Sequence, residues 1–290
     1  MTQAAQTPAD RSARTTRGPL PRGWICLGLY ALVTAPTGAW LWERWTQGIM
    51  YNGHGIVIPP LVAFLVYEQL RDEPRGEPQA SAWGFLFLVP SLLLIALDSA
   101  IGTQLLAAVG LVGSLPGLAL LLLGVERTRR LIFPLILAAF MLPIPAGFVA
   151  PLHLLLRHAA TWGAFHLVPL FGIPIHAHET VLQLPHSTLF VADACSGFST
   201  LYAALTTALV LAHWRRSLAW GAVLVAAALV LSLLCNTLRV TLLAILVHYR
   251  GVDLLATPAH EISGILTFGV VLVLLFALVG RGSVRKAPSA

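Results

Sequence analysis

Charge is what this chain has least of. Only 10% of its 290 residues are Asp, Glu, Lys or Arg, against about 25% in a soluble globular domain. With 57% of residues hydrophobic and a mean hydropathy of +0.81, that shortage excludes an ordinary soluble fold. Cysteine is scarce as well. Cys26, Cys195 and Cys235 are too few and too far apart for a disulfide framework or a zinc pattern. Cys26 and Cys235 lie inside apolar runs and read as small core residues. There is no internal repeat and no low-complexity stretch beyond the two tails. No secretory signal is expected, because residues 1–23 are polar and arginine-rich with no cleavage-site pattern before the first apolar run. The net charge of +6 would suggest nucleic acid in a soluble protein. Here it reads as topology control, and no nucleic-acid partner is expected.

What the chain does have is long apolar runs. Candidate spans are 24–42, 54–70, 82–98, 103–124, 131–149, 197–213, 217–238 and 262–280, long enough to cross roughly 30 Å of hydrocarbon. The expected fold is all-α, a polytopic transmembrane bundle of about eight spans. A membrane domain over 24–280 is flanked by a polar tail, 1–23, and a basic tail, 281–290, both cytoplasmic. With the N-terminus inside, the inner segments hold Arg11, Arg14, Arg17, Arg22, Arg71, Arg75, Arg127, Arg129, Arg130, Arg215, Arg216, Arg281, Arg285 and Lys286. Only Arg44, Arg157, Arg239 and Arg250 remain outside, as the positive-inside rule asks. ERTRR (126–130) and HWRRS (213–217) then both lie inside. Parity makes 151–171, which carries His153, Arg157, His158, Thr161 and His166, an interfacial or re-entrant helix. The apolar stretch 240–248 has no clear place.

That topology brings three chemically distinctive side chains to one level. Cys195 sits in VADACSGFSTL (191–201), read as the first turn of span 197–213 at its outer end. Exposed N–H groups at a helix start favour a thiolate. Arg239 lies 22 residues beyond Ser217, or roughly 33 Å of helix, so it also reaches the outer boundary. An arginine there could snorkel to headgroups, but arginine inside a membrane is costly enough that function is the default. His260 follows Thr257, a plausible N-cap, and Pro258, suited to the first helical position. It opens the last span, with Gly264 one turn deeper on the same face and able to admit a close neighbour. Each residue alone has an ordinary structural reading; together they form a kit. A thiolate attacks a carbonyl, histidine moves protons, and a fixed guanidinium holds an oxyanion or carboxylate. The chemistry is acyl transfer through a thioester.

VADACSGFSTL, NTLRV and HEISG, in that order, resemble the exosortase/archaeosortase family of polytopic membrane cysteine transpeptidases. YNGHGIVIPPLVAFLVYEQLR and FPLILAAFMLPIP are similar to it as well, so the resemblance covers nearly the whole membrane domain. It implies Cys195, Arg239 and His260 as the catalytic set, with His54, Asp193, Ser196 and Asn236 as candidate substrate contacts. It implies no cofactor. The partners it implies are exported proteins with a C-terminal sorting signal: a short motif, often Pro-Glu-Pro, then a transmembrane helix and a basic tail. An acceptor at the cell surface would receive the cleaved protein. The implied location is the inner membrane, with the site facing away from the cytoplasm. Asp193 departs from the family, where glutamate is common; the charge is kept and the reach is shorter.

Weaker signals remain. His176, His178 and Glu179 could suggest zinc, but they lack the two-turn spacing of the metalloprotease motif, and no metal is expected. Trp40, Trp42 and Trp45 read as an aromatic belt. The rival readings are a secondary transporter or channel with a polar site at its outer face, and a non-catalytic scaffold. Against the first stand the lack of repeat symmetry and the clustering of polar residues at one face. Against the second stands a thiol at a helix start.

Overall fold

The structure is a computed structural model that describes residues 21–47, 53–71, 80–251 and 259–281. Nine α-helices run along the described chain. They are α1 (Pro21–Gln47), α2 (Ile58–Leu70), α3 (Gly84–Ile101), α4 (Leu105–Arg130), α5 (Ile132–Leu137), α6 (Ala146–Leu167), α7 (Phe198–Arg215), α8 (Leu218–Arg250) and α9 (Ala259–Arg281).

Six segments are long and apolar enough to cross a membrane: 25–46, 84–101, 105–130, 193–215, 218–250 and 262–280. The expectation of eight is therefore corrected to six. Two candidates fall short for different reasons. The stretch 54–70 begins with a 3-10 turn, Gly53–Ile56, and only Ile58–Leu70 is α-helical. Its 13 residues give about 20 Å of rise. The stretch 131–149 is not one helix: α5 passes into a 3-10 turn, Ala138–Met141, and Pro143 and Pro145 flank the extended link that follows, where neither proline can continue a helix.

Contacts around both short helices mark out two ends of the bundle. At one end Gln69 Nε2 meets His213 Nε2 at 3.0 Å, Phe133 stacks on His213 at 4.0 Å and Trp214 Nε1 donates to Glu68 at 3.3 Å. Arg215 donates to the Val279 carbonyl there. Arg71, Arg127, Arg129, Arg130, Arg215 and Arg216 thus collect at a single end. At the other end Trp45 Nε1 donates to the Met141 carbonyl at 3.1 Å, and Gly55 packs on the Trp45 indole, which leaves no room for a methyl. Trp45 is therefore a buried anchor, while Trp42 is exposed and Trp40 half-buried. The aromatic-belt expectation is corrected for Trp45, whose indole is buried inside the protein. Cys26 is exposed on α1, not in a core as expected; Cys235 is half-buried against the α7–α8–α9 core.

The helix α8 is a single unbroken rod of 33 residues, about 50 Å long. It absorbs the unplaced stretch 240–248. Its buried stripe of Ser232, Asn236, Arg239, Val240, Leu243, Ala244 and Val247 has helical spacing. The last turns of that stripe carry a cap outside the long helices. α6 packs there so closely that a methyl on Gly163 would lie 2.3 Å from Thr237 Cγ2. α6 is not among the six long apolar segments. It exposes Phe148, Leu155 and Trp162, a seven-residue repeat that makes an apolar stripe suited to a membrane surface. A small antiparallel sheet completes the cap: β1 (His176–His178), β2 (Val181–Leu184) and β3 (Ser187–Phe190), in that order, with His176 opposite Gln183 and Leu182 opposite Leu189. An all-helical reading did not anticipate it. Leu182, Leu184 and Leu189 join Val240, Leu243, Ala244, Val247 and Cys195 in one core.

The separation of the two ends carries a topological consequence. Reporter domains fused after Gly172, in the cap, and after Gly282, just past α9, should report opposite sides of the membrane. A same-side report would contradict the two-ended arrangement.

Candidate active site

Strand β3 leaves the sheet and delivers the chain into a tight loop. Asp193–Cys195 form a 3-10 turn, closed by Cys195 N–H to the Ala192 carbonyl at 2.8 Å and Ser196 N–H to the Asp193 carbonyl at 3.1 Å. Gly197 follows at φ 80°, and α7 starts only at Phe198. The placement of Cys195 in the first helical turn is thus corrected: it precedes the helix, across a left-handed glycine. The reason is steric. A Cβ on Gly197 would lie 2.5 Å from Asn236 Cγ, so only glycine lets the loop close on α8.

Asn236 holds that loop. Its Nδ2 donates to the carbonyls of both Cys195 and Ser196, each at 3.0 Å. Ser196 Oγ accepts from Phe198 N–H at 3.3 Å and lies 3.0 Å from His153 Nδ1. The His153 ring tilts against Phe198 at 4.8 Å. Asp193 pairs with Arg157 at 3.0 Å, and the Arg157 guanidinium also lies over the Phe190 ring. His153 and Arg157 stand one turn apart on α6 and bind successive parts of the same loop. Burial pushes the His153 imidazole below its ordinary pKa, and Asp193 pulls it partly back.

Cys195 is 6% exposed and Arg239 8%, and the two are electrostatic partners. Arg239 Nε donates to Ser263 Oγ on α9 at 3.0 Å. Gly264 faces the guanidinium; a methyl there would sit 3.5 Å from Arg239 Nη2, in ordinary contact. A cavity of about 460 Å³ opens beside these groups, walled by Asp193, Ala194, Ser196, Gly197, Arg239 and Gly264 among others. Phe198, Ser199 and Thr200, the opening turn of α7, line it as well, so the helix's positive end still faces the space.

The structure therefore brings Cys195, Arg239, Asp193, Ser196 and Asn236 together. Asn236, a candidate substrate contact, grips the backbone of the loop. His260 belongs to the first turn of α9, ahead of Ser263 and Gly264, and His54 belongs to the 3-10 turn whose Gly53 lines the cavity. The side chains of both histidines lie outside the described residues, as do Thr257 and Pro258. His176 and His178 are exposed on β1, and no group of three or more His, Cys, Asp or Glu gathers among the described residues. In the sequence His153 and Arg157 read only as polar content of a helix. The available signal was their spacing of four, which puts them on one helical face.

The chain matches the family model for transmembrane exosortase (Exosortase_EpsH) over residues 42–277. It belongs to that family. No curated protein and no solved structure matches it.

The loop geometry makes a direct prediction. Gly197→Ala meets both a left-handed backbone, costing about 1–2 kcal/mol, and the Asn236 side chain. It should lower thermal stability in detergent and displace the Cys195 segment. Asn236→Ala removes the donor to two buried carbonyls, a loss of about 1–3 kcal/mol for each unmet group. Melting temperatures of the purified variants check both, and parental stability in either would overturn the account of the loop.

Proposed function

We propose that this transmembrane exosortase is a cysteine transpeptidase or endopeptidase. On this reading it cleaves a C-terminal sorting signal of exported proteins and passes them, through a thioester on Cys195, to a surface acceptor. The observation that carries the reading is convergence. Segments around residues 195, 239 and 264, distant in sequence, wall one cavity next to a buried thiol. A transport pathway needs no thiol there, and acyl transfer does.

The steps follow from the groups. Cys195 passes its thiol proton to His260, and the thiolate, with Arg239 beside it as counter-charge, attacks the scissile carbonyl. Its C–S bond forms as negative charge moves onto the carbonyl oxygen. Arg239, steadied through Nε by Ser263, turns its remaining N–H groups to that oxygen. His260 protonates the departing amine, the C–N bond breaks, and the C-terminal fragment leaves. The acyl-enzyme then meets an acceptor nucleophile or water.

The shape of the neighbouring space supports a substrate that is partly in the membrane. A second, apolar cavity of about 230 Å³ lies between α2, α7 and α9. It shares Val57, Ala203 and Phe268 with the first and extends to Trp214 and Phe276 near the basic end. A sorting signal would lay its helix along this cleft and its motif at Cys195. We place the Cys195 end on the outer side of the inner membrane, because the arginine clusters mark the opposite end as cytoplasmic.

Co-expression with a tagged exported protein that has a C-terminal helix and basic tail tests the reading by immunoblot. Cys195→Ser should abolish processing while the protein remains folded in the membrane, because a hydroxyl is far harder to ionise. Cys26→Ser and Cys235→Ser should retain most activity. Substantial processing by Cys195→Ser would remove the thioester.

The basic pair separates by role. Arg239→Lys keeps charge but loses the planar fork, so it should fail nearly as badly as Arg239→Ala. Recovery by lysine would reduce the arginine to a source of charge. His260→Ala should slow turnover by roughly 10²–10⁴-fold, the usual cost of lost acid–base catalysis, and near-normal turnover would remove it from the set.

A further inference from the structure

The apolar cleft between α2, α7 and α9 has two chemically different ends. Its outer end runs into the cavity beside Cys195, with Val57, Ala203 and Phe268 common to both. Its inner end stops at Trp214 and Phe276. Arg215 closes it just beyond by donating to the Val279 carbonyl, which ties α7 to α9. Trp214 Nε1 donates to Glu68 Oε2 at 3.3 Å, so a carboxylate stands at that inner mouth. α2 places it there. Leu61 lines the cleft, and Glu68 follows by seven residues, two turns further along the same face.

That carboxylate differs from everything around it. Arg71, Arg127, Arg129, Arg130, Arg215 and Arg216 make this end basic. The other described acidic side chain there, Glu126, is paired with its neighbour Arg130 at 3.8 Å. Among the described residues Glu68 has no ion-pair partner. Arg215 is engaged by the Val279 carbonyl and lies over the Trp220 ring at 5.1 Å. His213, an electrostatic neighbour of Glu68, is held by Gln69 and stacked on Phe133. A carboxylate at the cytoplasmic boundary, with an apolar trough leading to it, fits a helix that ends in a cation. A single-span segment with its outer end at Cys195 has its other end inside, where lysine and arginine collect.

We propose that Glu68 binds the first lysine or arginine after the apolar helix of the substrate, and that the distance from Cys195 to Glu68 selects the length of that helix. This rests on the reading that the cleft holds the membrane helix of a substrate cut at Cys195. α7 sets the length. Trp214 lies 16 residues beyond Phe198, or about 24 Å of rise, against about 30 Å for the hydrocarbon of a bilayer. A helix laid beside α7 therefore reaches Glu68 after about 16 residues. A longer one carries its cation past the carboxylate, and a shorter one stops before it. The surrounding arginines repel the remaining cations of the tail, so the carboxylate marks one position.

The test uses full-length Cys195→Ala protein in detergent micelles, which binds without cutting, and fluorescein-labelled peptides read by anisotropy. Each peptide has a polar outer segment, a leucine–alanine helix of about 12, 16 or 20 residues, and a closing Lys or Gln. Micelles remove any effect of tail charge on orientation in a membrane. The Lys peptide of middle length should bind about fivefold more tightly than its Gln counterpart, the upper range for a partly exposed ion pair. The shorter and longer Lys peptides should lose that advantage. Adding Glu68→Gln keeps an acceptor for Trp214 Nε1 and removes only the charge, so both tails should bind alike at every length. Adding Glu68→Lys should turn the preference toward a peptide that closes in Glu. A merely structural role for Glu68 would weaken both tails equally and leave their ratio unchanged, which would overturn the proposal. Equal binding of Lys and Gln peptides with Glu68 intact, or a Lys advantage independent of length, would overturn it too. Cleavage is read separately. If charge and length dependence hold while the protein with Cys195 intact fails to process the tagged exported protein, the thioester reading falls and the assignment of Glu68 stands.

Discussion

A helix about 50 Å long in a bilayer whose hydrocarbon is about 30 Å thick must emerge from it, and α8 does so at one end. Its start is pinned at the basic end, where Ser217 Oγ accepts from Trp220 N–H. The excess therefore accumulates beside Cys195. There the face from Thr237 to Val247 becomes a bed for α6 and the small sheet. β3 pairs with β2 and packs on that overhang through Leu189, and the loop that follows leaves from there. The same rod bears Asn236 and Arg239, three residues apart and hence on one face. One element thus sets the height of the Cys195 loop, the grip on its backbone and the position of the guanidinium.

The loop itself is held by polar contacts in apolar surroundings, where an unpaired group is costly and a paired one is strongly directional. Asn236 satisfies two carbonyls, His153 and Phe198 N–H engage Ser196, and Arg157 engages Asp193. These anchors come from α8, α7 and α6, so the loop cannot shift without breaking contacts to separate helices. Cys195 is thereby held in one fixed position.

The bundle around the loop is looser. α2 and α5 are too short to fill their share of the membrane, and the apolar cleft between α2, α7 and α9 joins the cavity beside Cys195. In a soluble protein an open apolar cleft would be a liability. In lipid it exposes nothing to water. Short helices thus lie at one flank and a rigid polar loop at the other.

Much of this was legible in the sequence, for a physical reason: solvent selects composition. The bilayer demands long apolar runs, and the cost of moving arginine across it sorts the basic residues, so membrane class and the common end of the arginine clusters follow from one-dimensional patterns. Cys195 and Arg239 could be brought to one level because helical rise converts residue count into depth. That conversion fails wherever the chain is not one straight helix. It misjudged 131–149, where prolines break the run, and 54–70, where a 3-10 turn uses the first residues. It set Cys195 inside α7, because nothing local reveals that Gly197 turns left-handed against Asn236. The strands around 176–190 are three or four residues each, too short for their alternation to stand out, and they exist because α8 offers a surface to cover. The joining of His153 to Ser196 and of Arg157 to Asp193 spans some forty residues of chain. Those contacts depend on where α6 lies, and only packing against the far end of α8 decides that.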